Sequence, residues 1–236
     1  MKTEQAIARL HWPSIEDQLD QEGHAILPGL LSERVANDLA ALIGSARIDH
    51  KVSLASAELG NGELFFLSQA LPPLVTELRT FFYEHLTPVA NRWSELFNVS
   101  HRFPDSLDAF LVQNRKAGQT RPQSHLSRLR KEDYQALHQR SDSELVFPLQ
   151  LTALLSEPGE EFTGGEFVMT EQRPRMQSRP IVLPMRKGDI AIFAVAQRPH
   201  KGAKGYYHVN LKHAVSRVRS GERIAFELLL HDARQG

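Results

Sequence analysis

His213 and Arg223 stand ten residues apart in the stretch His213-Ala214-Val215-Ser216-Arg217-Val218-Arg219-Ser220-Gly221-Glu222-Arg223. Ser220-Gly221 is a turn signal, so the spacing predicts a histidine at the end of one strand and an arginine at the start of its neighbour. An imidazole can ligate a metal, and a planar guanidinium grips a carboxylate through two parallel hydrogen bonds. A second histidine, His138, follows in Asp133-Tyr134-Gln135-Ala136-Leu137-His138-Gln139-Arg140, ahead of the apolar run Leu145–Leu155. The chain has no cysteine. That excludes disulfides, thiolate metal sites and a cysteine nucleophile, and leaves histidines and carboxylates to hold any metal. His11, His50, His85 and His101 sit in helical or loop contexts where a surface or half-buried role is the default. His200 and His208 flank the basic loop Lys201-Gly202-Ala203-Lys204-Gly205 and are expected to be solvated.

The elements that must position these residues change character at mid-chain. Ser32 can cap a helix with Val35, Leu39, Leu42 and Ile43 on its apolar face, closing at Gly44. Residues 23–29 before it read as a short strand and turn. A second helical stretch starts at Pro72-Pro73, carries Leu74, Leu78, Phe81 and Phe82, and is expected to break near Pro88. Val89, Trp93, Leu96 and Phe97 continue it, and these aromatics read as core. Residues 46–70 show no clear period. In the second half, compact apolar runs (Leu145–Leu155, Phe167–Met169, Ile190–Val195, Ile224–Leu230) alternate with turn signals such as Thr163-Gly164-Gly165 and Lys187-Gly188-Asp189. Short, closely spaced strands after helices predict an α+β protein. Residues 113–236 would form a double-stranded β-helix, or jelly roll, and the mainly helical residues 1–112 would pack on it as part of one integrated domain.

Formal net charge is zero, yet residues 1–112 hold 8 Lys/Arg against 15 Asp/Glu and residues 113–236 hold 20 against 13. A basic half suits an anionic ligand, either a small dicarboxylate or a nucleic acid. Mutual neutralisation of the two halves is the competing reading. The N-terminus lacks the apolar run of a signal peptide, and no stretch approaches the ~18 apolar residues of a membrane helix. A soluble, cytoplasmic protein without a membrane partner is expected. No Gly-x-Ser-x-Gly elbow is present, which disfavours a nucleophilic hydrolase.

Several longer stretches carry a family likeness: Gly29-Leu30-Leu31-Ser32, Leu71-Pro72-Pro73-Leu74-Val75, Ala90-Asn91-Arg92-Trp93, Ala117-Gly118-Gln119-Thr120-Arg121-Pro122, Leu154 to Pro180, and Asn210-Leu211-Lys212-His213. Through them the chain, from about Gln18 to Ala233, resembles bacterial 2-oxoglutarate/Fe(II)-dependent oxygenases related to prolyl hydroxylases and described as AlkB-like. That group is associated with oxidative repair of alkylated DNA. The resemblance implies a jelly roll, Fe(II) held by His138 and His213, and the small-molecule co-substrate 2-oxoglutarate held by Arg223, with Tyr134 beside it. It also implies hydroxylation of a C–H bond, with alkylated nucleic acid as one substrate class.

The pattern breaks at one ligand. The family reads His-Gln-Asp where this chain reads His138-Gln139-Arg140, and the spacing to Glu144-Leu145-Val146-Phe147-Pro148 is preserved. Arginine keeps its proton at neutral pH and so cannot become a ligand there. At ~4 Å and an effective dielectric of ~20 its charge would oppose a divalent metal by about 8 kcal/mol. Three arrangements are open. Asp142 can replace the missing carboxylate, against a rise of ~6–7 Å along a strand. The two histidines can suffice, with water or an anion as third ligand. Or the scaffold has lost catalysis and keeps its pocket for an anion, another ligand or a nucleic acid. Arg130-Lys131-Glu132-Asp133, where relatives carry a Gly-Pro-Gly turn, and residues 46–66 also depart from the group, which points to a changed substrate.

Overall fold

The computed structural model describes residues 3–139, 144–203 and 205–234. The first half runs α1 (Thr3–Ala8), α2 (Trp12–Glu22), β1 (His24–Leu27), α3 (Glu33–Ala40), a 3-10 turn (Ala41–Gly44), β2 (Ile48–Ser53), β3 (Gly60–Asn61), β4 (Glu63–Leu67) and α4 (Pro73–Leu96). It ends with α5 (Leu107–Lys116), which leads into β5 (Gln119–Pro122), β6 (His125–Arg130), β7 (Tyr134–His138) and β8 (Leu149–Leu154). Next come β9 (Phe162–Gly164), β10 (Phe167–Gln172), β11 (Arg179–Leu183) and β12 (Ile190–Ala194). The chain closes with β13 (Gln197–Gly202), β14 (Gly205–Val215), β15 (Val218–Leu228) and β16 (Asp232–Arg234).

Two antiparallel sheets form the jelly roll. The larger runs β1-β12-β8-β15-β6-β4-β2 with β9 added to β15, and the smaller runs β11-β10-β14-β7-β3 with β13 added to β14. Their inner faces meet at Phe167 and Phe193, whose ring centroids lie 5.0 Å apart. Strand alternation decides what faces inward: on β14, Val209, Leu211, His213 and Val215 are buried while Asn210 and Lys212 between them are exposed.

Several motifs that carried the family likeness hold the frame. Asp189 accepts hydrogen bonds from the backbone of Gly29 at 2.7 Å and of Arg186 at 2.8 Å, so one carboxylate ties the strand-β1 turn to the start of β12. Gly188 packs so closely on Leu31 that a Cβ would stand 2.3 Å from its carbonyl oxygen. Arg92 bridges Glu16 and Asp20, and the Trp93 indole donates to Asp20 at 2.6 Å, fixing α4 to α2. Buried Arg79 of α4 pairs with Asp232 at 2.7 Å, joining the two halves of the chain.

The structure corrects three expectations and resolves one stretch that carried none. Helix α4 continues through Pro88, because Val89, Ala90 and Trp93 beyond it are buried in the core and their packing outweighs the hydrogen bond that proline forfeits. Residues 46–70 form β2, β3 and β4, whose signal is faint because β2 ends the sheet and its residues are only half-buried or exposed. The run from Leu145 becomes a strand only at Leu149, after Pro148, which has no N–H for a ladder. His200 and His208 lie on β13 and β14 rather than in a loop, and the His208 ring stacks on Phe97 at 3.9 Å. Among the described residues no helix is long and apolar enough to cross a membrane.

Candidate metal and co-substrate site

His138 is the last residue of β7, and its Cα partner across the ladder is His213 of β14. The imidazole centroids are 4.1 Å apart. Nδ1 of His138 lies 2.9 Å from the Ala136 carbonyl oxygen, which can only accept. That contact assigns the proton to Nδ1 and leaves Nε2 with the lone pair a metal needs. His213 is 3% exposed and is flanked by Phe193 at 4.8 Å and Phe167 at 6.1 Å, which restrict its ring. Two imidazoles so placed fit two positions of a metal's coordination sphere. Among the described residues no group of three His, Asp or Glu side chains is arranged to hold a metal. Arg140 and Asp142, the residue at the family's carboxylate position and its candidate replacement, lie outside the described residues.

Arg223 sits on β15 facing the same interior. It is 2% exposed, and its Nε and Nη1 are buried without a hydrogen-bond partner among the described residues. Burial pushes its pKa down to about 10, opposed by the nearby carboxylates of Glu227 and Glu166. A buried guanidinium with two unanswered donors is costly unless an anion completes it, so the residue fits a carboxylate ligand. Arg223 lines a cavity of about 410 Å³ together with Phe167, the residue that packs on His213. The histidine pair and the arginine are thus connected through one aromatic ring.

Tyr134 is 41% exposed at the start of β7 and lines an open cleft with Asn61, Glu132 and Arg217.

Two features escaped sequence reasoning. Gly165 has φ +64°, and a Cβ there would come within 3.0 Å of the Arg223 Cδ, so the Gly164-Gly165 turn makes room for the arginine's stem. Buried Glu227, four residues beyond Arg223 and on the same face of β15, accepts hydrogen bonds from Gln150 and Thr152 at 2.7 Å each. Period-two counting from Arg223 could have found Glu227. Nothing local signals the contact between Gly165 and Arg223, which lie far apart in sequence.

A family model described as an oxygenase catalysing oxidative methylation of damaged DNA matches residues 62–233. A Mycobacterium tuberculosis protein recorded as uncharacterized is 39% identical over 163 residues, covering 69% of this chain and 70% of that protein. A Pseudomonas putida prolyl-4-hydroxylase shares the fold at TM-score 0.54 and 11% identity, covering 95% of this chain and all of the other. A Burkholderia pseudomallei oxidoreductase of the 2OG-Fe(II) oxygenase family does so at TM-score 0.51 and 15% identity, covering 96% of this chain and 94% of the other. Fold, match and site define a 2-oxoglutarate/Fe(II)-type oxygenase. The chain belongs to the family of nucleic-acid oxygenases that the model describes.

Proposed function

We propose that this protein is a 2-oxoglutarate/Fe(II)-dependent oxygenase with an altered metal centre, in which His138 and His213 are the metal ligands and Arg223 holds the far carboxylate of 2-oxoglutarate. The observation that carries this reading is a buried Arg223, with two donors unanswered among the described residues, linked through Phe167 to a cross-strand histidine pair. Bound iron and 2-oxoglutarate would supply the oxidising chemistry that turns a C–H bond into C–OH. The chain's own part is positional. The Ala136 carbonyl orients His138, Phe167 and Phe193 confine His213, and the sheets bury Arg223 so that its bond to a carboxylate forms away from water. Asp142 remains the candidate third ligand within the chain, and water or an exogenous anion is the alternative. Alkylated nucleic acid is the substrate class that the family description supports.

The test is conversion of 2-oxoglutarate to succinate by the purified protein with added Fe(II), alone and with an N-methylated oligonucleotide. Turnover that disappears in His213→Ala and Arg223→Met supports the assignment. Turnover unchanged in both variants overturns it. A second reading, a binding module without turnover, is favoured by Arg140 at the family's carboxylate position. It predicts 2-oxoglutarate binding that depends on Arg223 and no succinate under any condition.

A further inference from the structure

The cavity that Arg223 lines is apolar along most of its walls. It has a volume of about 410 Å³, and its walls include Leu154, Phe162, Phe167, Val182, Leu183 and Met185. Val182, at 57% exposure, marks the outer end, and Phe167, 3% exposed and packed toward His213, marks the inner end. Among the described residues, Arg223 is the only cation lining it and Glu166 the only anion. Serine 216 donates a hydrogen bond to the Glu166 carboxylate, and that bond holds the carboxyl below the usual range, so it stays charged at neutral pH. A ligand with two carboxylates placed along this cavity would bring its second charge among phenylalanine, leucine and methionine side chains, with no second cation and an anion nearby. Desolvation disfavours that strongly. A ligand with one carboxylate and an otherwise hydrocarbon body meets no such penalty.

We propose that this cavity binds an amphipathic monocarboxylate, one carboxylate on an aliphatic or aryl body, whose head pairs with the Arg223 guanidinium. The proposal rests on the reading above in one respect: 2-oxoglutarate, if it binds, uses the same guanidinium, so the two ligands compete. At roughly 30 Å³ for each water-sized volume the cavity has room for about a dozen heavy atoms, which corresponds to an acid of eight to ten carbons. A free fatty acid or an arylalkanoate has the required chemistry. Its occupancy would make co-substrate binding depend on the supply of such acids, with no change in the metal site.

Isothermal titration of the full chain with acetate, butyrate, hexanoate, octanoate and decanoate tests this, each acid alone and in the presence of 2-oxoglutarate. The expected result is an affinity that rises about fourfold per added methylene and levels off near ten carbons. Octanoate should raise the apparent Kd of 2-oxoglutarate in proportion to its own concentration. Val182→Glu, at an exposed position where folding is not at risk, should weaken octanoate at least tenfold and leave 2-oxoglutarate unchanged. Arg223→Met should abolish binding of both. Equal affinities for acetate and octanoate overturn the proposal, and so does octanoate binding that survives Arg223→Met. If 2-oxoglutarate fails to bind while the acid series behaves as expected, the co-substrate reading falls and the cavity assignment stands. If 2-oxoglutarate binds and octanoate does not compete, the cavity assignment falls alone.

Discussion

Arg223 is held at a cost that only a ligand removes. Two of its buried donors have no partner among the described residues, and burial pushes its pKa down to about 10 against the pull of Glu227 and Glu166. Replacing a buried, incompletely answered charge with an apolar side chain of similar volume commonly stabilises a fold by about 1–3 kcal/mol. Arg223→Met is therefore expected to raise the urea midpoint of the ligand-free protein while it eliminates 2-oxoglutarate binding. The pH dependence has a definite sign. Above about pH 10 the buried guanidinium gives up a proton that the exposed arginine of the unfolded chain keeps. Stability attributable to this residue thus increases with pH through that window. The difference in unfolding free energy between Arg223→Met and the wild type should shrink from pH 9 to pH 11. A difference that stays constant would show that the guanidinium is answered in the folded state. At this scale the sequence was informative. The ten-residue spacing put His213 and Arg223 on successive strands, but the turn falls between Val215 and Val218, Ser220-Gly221 lies inside β15, and β14 and β15 belong to different sheets. Tyr134 was less legible. Its position depends on the pairing of β7 with β3, which sets it opposite Asn61 at an exposed cleft, and the short β3 carries no sequence period.

The Gly164-Gly165 turn is the element that joins frame and site. Both residues have positive φ, but a side chain would meet different neighbours at each. At Gly164 a Cβ would stand 2.3 Å from the Arg217 carbonyl oxygen, which is backbone and cannot yield. At Gly165 it would meet the Arg223 stem at 3.0 Å and Val218 at 3.1 Å, side chains that can shift. Gly164→Ala is expected to destabilise the fold by about 2 kcal/mol or more, with ligand affinity intact in the fraction that folds. Gly165→Ala is expected to cost about 1 kcal/mol of stability and to weaken 2-oxoglutarate at least tenfold, because the guanidinium is displaced. Chemical denaturation and titration of the two variants side by side separate these effects, and equal losses of affinity would contradict the assigned roles. The helices and the late strands were readable from period and caps: Ser32 caps α3 as its position suggested. What failed was local reasoning applied where tertiary packing decides. Pro88 does not break α4, whose flanking residues are buried, and the polar strands β2 and β13 derive their structure from their partners in the sheets.

In the whole molecule the acidic and basic halves share one sheet, since β1, β2 and β4 extend the sheet that contains β6, β8, β12 and β15. Among the described residues two ion pairs cross between the halves, Arg79–Asp232 and Arg128–Glu63. The exposed Arg217 and Lys201 are among the basic residues left on the surface of the second half. If alkylated single-stranded nucleic acid is the substrate, binding through about four phosphates should weaken by roughly fiftyfold between 50 and 200 mM salt. A filter-binding series checks this, and an affinity indifferent to salt would exclude a backbone-tracking mode.

The central claim is that His138, His213 and Arg223 constitute a 2-oxoglutarate/Fe(II) site altered at position 140. The most direct measurement is an anaerobic Fe(II) titration with excess 2-oxoglutarate, following the visible charge-transfer band of the chelated pair, on the wild type and on Arg140→Asp. The band is expected in Arg140→Asp, and in the wild type only at an Fe(II) concentration at least tenfold higher. Absence of the band from Arg140→Asp, in a protein that remains folded, would contradict the account.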